Sequence, residues 1–337
     1  MSDLLLSVVI IGRNEGKRLR RCLESIAGIR GVAGRIELVY SDSGSTDGSP
    51  ELAKSFGADV IAVNAERPTA ALGRNAGLSR AHAPYILFLD GDTILDPDFA
   101  RTALDALQND QSIAAVWGHR REIHPELSLY NRVLDLDWIF PPGDAQFCGG
   151  DVVMRRSALD EVQGYDPALI AGEEPELCRR LRARGYRILH IDCPMTGHDL
   201  AMTAWTQYWR RATRAGHAYA EVSSRFASTE DPFWRAESRA NLLRGGFWMG
   251  SFAFAVLALS VTPWVLAVWV AIVLSFAFRS SLKNRWKAPG KPLLLAVYGL
   301  HSHLQQIPIF LGQLQFYRDR RRGRKRRLIE YKEGSCD

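Results

Sequence analysis

Blocks of apolar and polar positions alternate along the first part of the chain, and their lengths are those of strands and helices. Four short runs rich in β-branched and aliphatic side chains predict strands at 5–11, 35–40, 59–63 and 85–90. The segments between them predict helices at 17–27, 50–56 and 68–76. Strands that alternate with helices at this spacing predict an α/β domain with a mostly parallel sheet flanked by helices.

The fourth predicted strand ends in two carboxylates separated by one glycine, Asp90-Gly91-Asp92. Strand positions two apart share a face, so Asp90 and Asp92 point the same way, at the sheet edge where α/β proteins bind ligands. Paired carboxylates bind hard cations, so the pair predicts Mg²⁺ or Mn²⁺ holding a diphosphate. The alternative is an ordinary Asp-Gly turn whose acids only face solvent.

Two further segments are predicted near the same edge. The loop 41–48 is rich in short oxygen side chains, and Asp42 at the end of its strand can accept an N–H of a nucleobase. Arg74 lies in the run Gly73-Arg74-Asn75 and has the forked donors that bind phosphate. The alternatives are helix capping by the loop and a plain surface helix around Arg74.

Four motifs occur in one order along about 90 residues: Ser-Val-Val-Ile-Ile-Gly-Arg-Asn-Glu from Ser7, Asp-Ser-Gly-Ser-Thr-Asp-Gly from Asp42, Gly-Arg-Asn-x-Gly from Gly73, and Phe-Leu-Asp-Gly-Asp from Phe88. Together they resemble the inverting family-2 glycosyltransferases. The resemblance implies the A-type glycosyltransferase fold and a nucleotide-sugar donor, UDP- or GDP-linked. The implied donor-binding residues are Asn14, Glu15, Asp42, Arg74 and Asp90. Where that family has Asp-Asp after the second strand, this chain has Asp42-Ser43, so only Asp42 carries over as the base-binding residue.

The resemblance continues to about residue 225 and implies a general base. The segment Gly172-Glu173-Glu174-Pro175 opens a predicted helix that ends near Gly185. The family has Glu-Asp here, with the aspartate as the base, and this chain has Glu174 at that position. Because glutamate is one methylene longer, Glu173 stays open as an alternative base. Acids that merely favour the helix dipole are a further alternative.

Two more positions follow from the resemblance. His198, after a predicted strand at 187–191, corresponds to a histidine that binds the metal in some relatives; a neutral histidine bonded to a loop is the alternative. Arg210, on a predicted helix at 205–220, corresponds to a residue that contacts the diphosphate. Polymerising relatives have Gln-x-x-Arg-Trp at this point, and Arg211 replaces the tryptophan here. This departure from the pattern argues against processive synthesis, so we expect a non-processive enzyme.

Residues 247–278 contain no charged side chain. The segment is too long for one span and short for two, and Thr262-Pro263 divides it, so we expect a re-entrant hairpin rather than full spans. A buried soluble helix pair is the alternative. The stretch 293–317 is apolar with scattered histidines and glutamines, and predicts an interfacial or membrane helix. The predicted domains are thus 1–230 (catalytic), 231–317 (membrane-associated) and 318–337 (basic cytoplasmic tail).

The net charge of +6 is concentrated beside these apolar segments. Residues 318–327 carry +7 and residues 279–292 carry +5, which leaves −6 for the remainder. This pattern favours anionic membrane lipids over nucleic acid as the partner. Five cysteines without paired spacing indicate a reducing compartment. By the positive-inside rule, the catalytic domain is expected in the cytoplasm, at a bacterial-type cytoplasmic (inner) membrane.

The sequence therefore predicts a metal-dependent inverting glycosyltransferase that transfers a sugar to a lipid-linked or cell-envelope polysaccharide acceptor. A polyprenyl-phosphate glycosyltransferase is the alternative within the same class. A non-catalytic nucleotide-sugar-binding membrane protein is the alternative of another class.

Overall fold

A computed structural model describes residues 4–323, and the predicted tail 318–337 lies outside these residues from 324 onward. Nine strands are found within them: β1 (Leu4–Gly12), β2 (Arg35–Asp42), β3 (Asp59–Ala62), β4 (Tyr85–Asp90), β5 (Thr93–Leu95), β6 (Ile113–Glu122), β7 (Gly143–Ala145), β8 (Val152–Arg155) and β9 (Arg187–His198). The α-helices are α1 (Lys17–Ala27), α2 (Ser49–Ser55), α3 (Ala70–Arg80), α4 (Phe99–Asn109), α5 (Leu129–Asp137), α6 (Arg156–Glu161), α7 (Glu173–Ala183), α8 (Trp205–Arg225), α9 (Arg235–Ala258), α10 (Trp264–Lys283), α11 (Pro292–Leu304) and α12 (Gln306–Arg321). The described chain divides into two compact units, 4–123 with 138–199, and 124–137 with 200–323.

The first unit is built on one sheet with the order β3-β2-β1-β4-β8-β6-β9-β5, and β7 pairs with β9. The central strands β1 and β4 are mostly apolar, and their residues 6–10 and 85–89 are buried, as expected for interior strands of a sheet that helices cover. Their register places Ile11 beside Asp90 and Gly12 beside Asp42. The carboxyl ends of β1, β2 and β4 therefore meet at one edge.

The sheet is mixed, which corrects the expectation of a mostly parallel sheet. Strands β1 to β4 pair in parallel, as does β6 with β9, but β8 is antiparallel to β4 and β6, and β9 is antiparallel to β5 and β7. Because β8 runs against β4, the start of β8 lies beside the end of β4. The segment Gly149-Gly150-Asp151 is thereby brought to the edge that carries Asp90.

The second unit is helical. Helices α8 and α12 pack closely, because Gly216 and Gly312 leave no side chain between them: a Cβ on either residue would overlap the backbone of the other helix. Gln313 of α12 donates hydrogen bonds to the Ser238 carbonyl (3.0 Å) and hydroxyl (2.7 Å) of α9. Small residues and buried amides thus connect these helices.

Helices α9 and α10 form an antiparallel pair that breaks at the predicted point, Thr262-Pro263. Trp269 donates a 3.1 Å hydrogen bond to Ser251, and the rings of Trp248 and Phe276 meet edge to face. Within residues 4–323, one helix, α10, is long and apolar enough to cross a membrane.

The single helix expected at 293–317 is two helices, α11 and α12, separated at Gln305. Pro308 accounts for the break, since it lacks an N–H and its ring is incompatible with a continuous helix through Leu304 four residues earlier. The strand expected at 187–191 is also longer, because β9 continues to His198 through irregular pairing with β6.

Candidate active site

The loops that follow β1 and β2 are joined by hydrogen bonds. Asn14 donates its backbone N–H to Ser45 Oγ (2.9 Å), and Asn14 Oδ1 accepts from the Thr46 N–H (2.8 Å). Asn14 has a φ of 54°, a left-handed conformation that asparagine adopts more readily than most residues. The two loops therefore form one surface at the strand ends.

Asp42 is buried at the base of this surface. One of its oxygens accepts from the Tyr40 hydroxyl (3.2 Å), and the other accepts from the backbone N–H groups of Gly44 (3.0 Å) and Ser45 (2.9 Å). Glu15 lies on the neighbouring loop, where it pairs with Arg18 at 3.0 Å. Contact of Asn14, Glu15 and Asp42 with a nucleotide stays a prediction.

Asp90, Asp92 and His198 form a group whose ligand atoms all lie within 4.8 Å of one another. His198 Nε2 is 3.4 Å from Asp92 Oδ2, and both side chains are almost fully buried. Two carboxylates and an imidazole in this arrangement are a donor set that suits Mn²⁺ or Mg²⁺. The residues present therefore fit a divalent cation.

Strand pairing brings His198 to this group. In the antiparallel ladder of β5 and β9, Thr93 lies opposite His198, and the Asp199 N–H donates to the Asp92 carbonyl (3.2 Å). The sequence placed His198 after a strand, whereas it is the last residue of β9. The pairing of β5 with β9 therefore places the backbone of His198 next to Asp92.

Arg74, on α3, connects this group to the second acidic segment. Its Nη2 donates to Asp90 Oδ1 (2.9 Å), and its Nη1 donates to Glu173 Oε1 (2.9 Å) and lies 3.3 Å from Glu174 Oε1. The Arg74 side chain is 2% exposed. Burial disfavours its charge, but the surrounding carboxylates, Glu174 and Asp90 foremost, raise the pKa of Arg74 well above its usual value. The ion pairs of Arg74 are thus with three carboxylates, and its Cζ lies 5.5 Å from the centroid of the Tyr165 ring.

Glu174 is the acid at the predicted position of the general base, and its pKa is raised toward neutral pH. It lies in the first turn of α7, which begins after Gly172 in a left-handed conformation (φ 82°). Burial raises the pKa of Glu174 to about 7; the charge of Glu173 adds to this rise, and Arg74 opposes it. A carboxyl with a pKa near the working pH is suited to accept a proton from a hydroxyl group.

Three residues at this edge were not identified from the sequence. Asp151 is fully buried, and its Oδ1 accepts from the Asp90 N–H (3.0 Å). Arg120 of β6 lies 3.6 Å from Asp90 Oδ2 and 3.7 Å from Asp151 Oδ2. Burial raises the pKa of Asp151, and Arg120 opposes that rise. An Asp that follows Gly-Gly before a strand was a usable signal; Arg120 gave none.

Trp138 is the third such residue. Its ring lies 4.9 Å from Arg120 Cζ and packs edge to face on His198, with 5.0 Å between the ring centroids. Arg210, by contrast, is an exposed residue of α8 in the second unit. Its predicted contact with a diphosphate stays a prediction.

Two family models match the chain. The model described as Glycosyl transferase family 2 matches residues 7–162, and the model described as Glycosyl transferase family group 2 matches residues 85–282. The two matches together include the strand ends described above and α7.

Curated relatives cover part of the chain. A pre-mycofactocin glycosyltransferase of Mycobacterium tuberculosis (strain ATCC 25618 / H37Rv) is 26% identical over 217 residues, which are 58% of this chain and 42% of the relative. A poly-beta-1,6-N-acetyl-D-glucosamine synthase of Staphylococcus aureus (strain COL) is 25% identical over 221 residues, 60% of this chain and 52% of the relative. The chain thus spans about half the length of these relatives.

Solved structures are similar over most of the chain. The mannosyltransferase PcManGT from Pyrobaculum calidifontis, in complex with GDP-Man and Mn²⁺, has a TM-score of 0.62 and 18% identity, covering 93% of this chain and 87% of that chain. Residues 1-349 of S. aureus TarS give a TM-score of 0.52 and 13% identity, covering 98% and 97%. The first unit has the A-type fold that the motifs implied. Because the second family model spans more than half of the 337 residues, the chain belongs to the family 2 glycosyltransferases.

Proposed function

We propose that this glycosyltransferase transfers a sugar, with inversion and dependence on a divalent cation, from a nucleoside-diphosphate donor to an acceptor hydroxyl. The observation that carries the proposal is the single guanidinium of Arg74, which contacts both Asp90 and Glu174. It keeps a cation site and a candidate base within reach of one reacting centre, as a displacement at an anomeric carbon requires.

Each acidic group has a distinct task in such a displacement. The acceptor oxygen forms a bond to the anomeric carbon, the bond from that carbon to the diphosphate oxygen breaks, and its electron pair leaves with the diphosphate. Glu174 takes the proton of the acceptor hydroxyl. Asp90, Asp92 and His198 would hold Mg²⁺ or Mn²⁺, which supplies charge neutralisation to the leaving diphosphate when bound.

The joined loops after β1 and β2 support a nucleotide site beside the cation. Asp42 is the proposed contact of the nucleobase, with Asn14 and Glu15 at the same strand ends. The related structures named above were determined with GDP-Man and, for another TarS crystal, with UDP-GlcNAc. A UDP- or GDP-sugar is therefore the proposed donor class. Arg74 stays a candidate donor contact, but we assign it first to holding the carboxylates.

The α9–α10 pair supports attachment to a membrane. Its tip is apolar and open to solvent: Val261 is 85% exposed and Trp264 76%. From the Trp248–Phe276 contact to Thr262 the pair reaches about 21 Å at ~1.5 Å per residue, less than the ~30 Å of a bilayer core. We therefore propose a hairpin that enters one leaflet and returns.

Basic side chains lie at the open end of this hairpin. Arg244 precedes the apolar part of α9, and Arg279, Lys283 and Arg285 follow that of α10. All four are exposed, and none forms an ion pair within residues 4–323. The positive charges of these four side chains are complementary to anionic lipid headgroups. The positive-inside rule then assigns these side chains to the cytoplasmic side. The proposed acceptor class is a lipid-linked or envelope acceptor at that membrane surface. We propose that the sugar is transferred to it without processive synthesis.

Release of nucleoside diphosphate tests the proposal. Purified chain is incubated with a panel of UDP- and GDP-sugars and a bacterial membrane-lipid extract, with Mn²⁺, Mg²⁺ or EDTA. We expect release from one donor, dependent on the cation and on the lipid, and its loss in Asp92→Asn. If polyprenyl phosphate is the acceptor, product should form when polyprenyl phosphate is the only lipid supplied. Donor binding without turnover under every condition would favour the non-catalytic alternative.

A further inference from the structure

The proposed cation ligands come from different strands. Asp90 ends β4, and His198 ends β9, with β8 and β6 between these two strands in the sheet. The β5–β9 ladder pairs the backbone of His198 with that of Thr93, next to Asp92, but Asp90 lies outside this ladder. Asp151 connects Asp90 with β9.

The carboxylate of Asp151 bridges the two strands. Oδ1 accepts a 3.0 Å hydrogen bond from the backbone N–H of Asp90, and Oδ2 accepts a 2.8 Å hydrogen bond from the Thr196 hydroxyl. Thr196 is two residues before His198 on β9 and lies opposite Leu95 in the ladder with β5. One rigid side chain therefore connects the backbone of one ligand with the strand of another.

Burial of the Asp151 carboxylate costs free energy, because the charge loses its contact with water. Asp151 is 0% exposed, and a buried carboxylate is tolerated only with hydrogen bonds and a countercharge. Arg120 supplies the countercharge at 3.7 Å, and its Cα lies opposite that of Thr196 in the β6–β9 ladder. An apolar residue at this position would avoid the free-energy cost of burying a charge, but it could not accept hydrogen bonds from Asp90 and Thr196. The two directional hydrogen bonds therefore explain the carboxylate.

We propose that Asp151 is a positioning residue for the cation site: through Asp90 N–H and Thr196 it sets the separation of the Asp90 and His198 side chains. The proposal rests on the proposed binding of the cation by Asp90, Asp92 and His198. Outer partners of metal ligands typically change metal affinity by about 10- to 100-fold when they are removed.

Mn²⁺ alone is the probe for the test. The metal-free full chain is titrated with MnCl₂ and free Mn²⁺ is measured by electron paramagnetic resonance, without donor, so that the readout is affinity and not activity. We expect Asp151→Asn to raise the dissociation constant about 10- to 100-fold. Thr196→Val removes only the hydroxyl and leaves the charge of the site unchanged, so a weaker affinity in this variant reports position.

Because Thr196 is expected to act only through its hydrogen bond to Asp151, Asp151→Asn/Thr196→Val should bind Mn²⁺ no more weakly than Asp151→Asn. Asp144→Asn removes an exposed aspartate that pairs with Arg187 and should leave the affinity unchanged. Thermal unfolding identifies variants that do not fold, and Thr196→Val carries the test if Asp151→Asn is among them.

The outcomes separate the two proposals. Asp92→Asn with wild-type affinity would overturn the cation site itself. Loss of affinity in Asp92→Asn with wild-type affinity in Thr196→Val and Asp151→Asn would leave the cation site standing and overturn the positioning role. Additive losses in the double variant would also overturn it, since the residues would then act separately.

Discussion

Arg74 Nη1 lies 3.3 Å from Glu174 Oε1. The same nitrogen donates to Glu173 Oε1 (2.9 Å), although Glu173 is 99 positions further along the chain. The guanidinium also donates to Asp90. A change at either acidic group is therefore expected to affect the other, because both share one buried cation.

Replacement of the candidate base tests its role directly. Glu174→Gln keeps the size of the side chain but cannot accept the proton, so we expect turnover to fall by about 10²- to 10⁴-fold with donor affinity little changed. Steady-state kinetics and donor titration measure the two effects separately. Glu173→Gln is the matched variant and should lower turnover far less. A larger loss in Glu173→Gln than in Glu174→Gln would identify Glu173 as the base.

The acidic side of the pH profile is expected to follow Glu174. A base must be deprotonated to act, and burial raises its pKa to about 7, so kcat/KM should fall as the pH drops below about 7. The charge of Glu173 contributes to that raised pKa. In Glu173→Gln the acidic limb should therefore move to lower pH. A limb that stays in place, or moves to higher pH, would contradict the assignment.

Two adjacent glycines offer a test of the Arg74 contacts. A Cβ at Gly150 would overlap Arg74 Nη2, whereas a Cβ at Gly149 would have its nearest neighbour, Arg120 Nη1, at 3.9 Å. Because the end of an arginine can move, we expect Gly150→Ala to fold but to displace Arg74 from Asp90, with a loss of at least about 10-fold in kcat/KM. Gly149→Ala is the control. If Gly150→Ala and Gly149→Ala have the same kcat/KM and the same melting temperature, the position of the Arg74 guanidinium does not affect catalysis.

Cysteine labelling in intact cells tests the hairpin. In a variant lacking Cys193 and Cys336, a cysteine replacing the exposed Lys291 should react with a membrane-impermeant reagent only after the membrane is opened, because an even number of crossings keeps it on the cytoplasmic side. Val261→Cys, at the apolar tip, should react in neither state. Labelling of Lys291→Cys from outside would indicate a full crossing.

Much of the site could be predicted because its signals are local. A buried apolar run that ends in Asp90-Gly91-Asp92, and a glycine before acids at Glu173-Glu174, describe a strand end and a helix start without reference to the rest of the chain. The break at Thr262-Pro263 and the apolar surface around it are local in the same sense. These features follow from residue type and spacing alone.

Tertiary structure decided which of these groups meet. The contacts of Arg74 with Asp90, Glu173 and Glu174 arise because α3 packs against β1 and β2 at the edge that α7 also reaches, and its predicted contact with a phosphate stays a prediction. Asp151 and Arg120 join the site only because β8 runs antiparallel to β4 and β6. His198 depends on the register of β9, which shifts against β6 and so carries the strand past its expected end. Strand direction and register here depend on pairing between segments that lie far apart in the sequence.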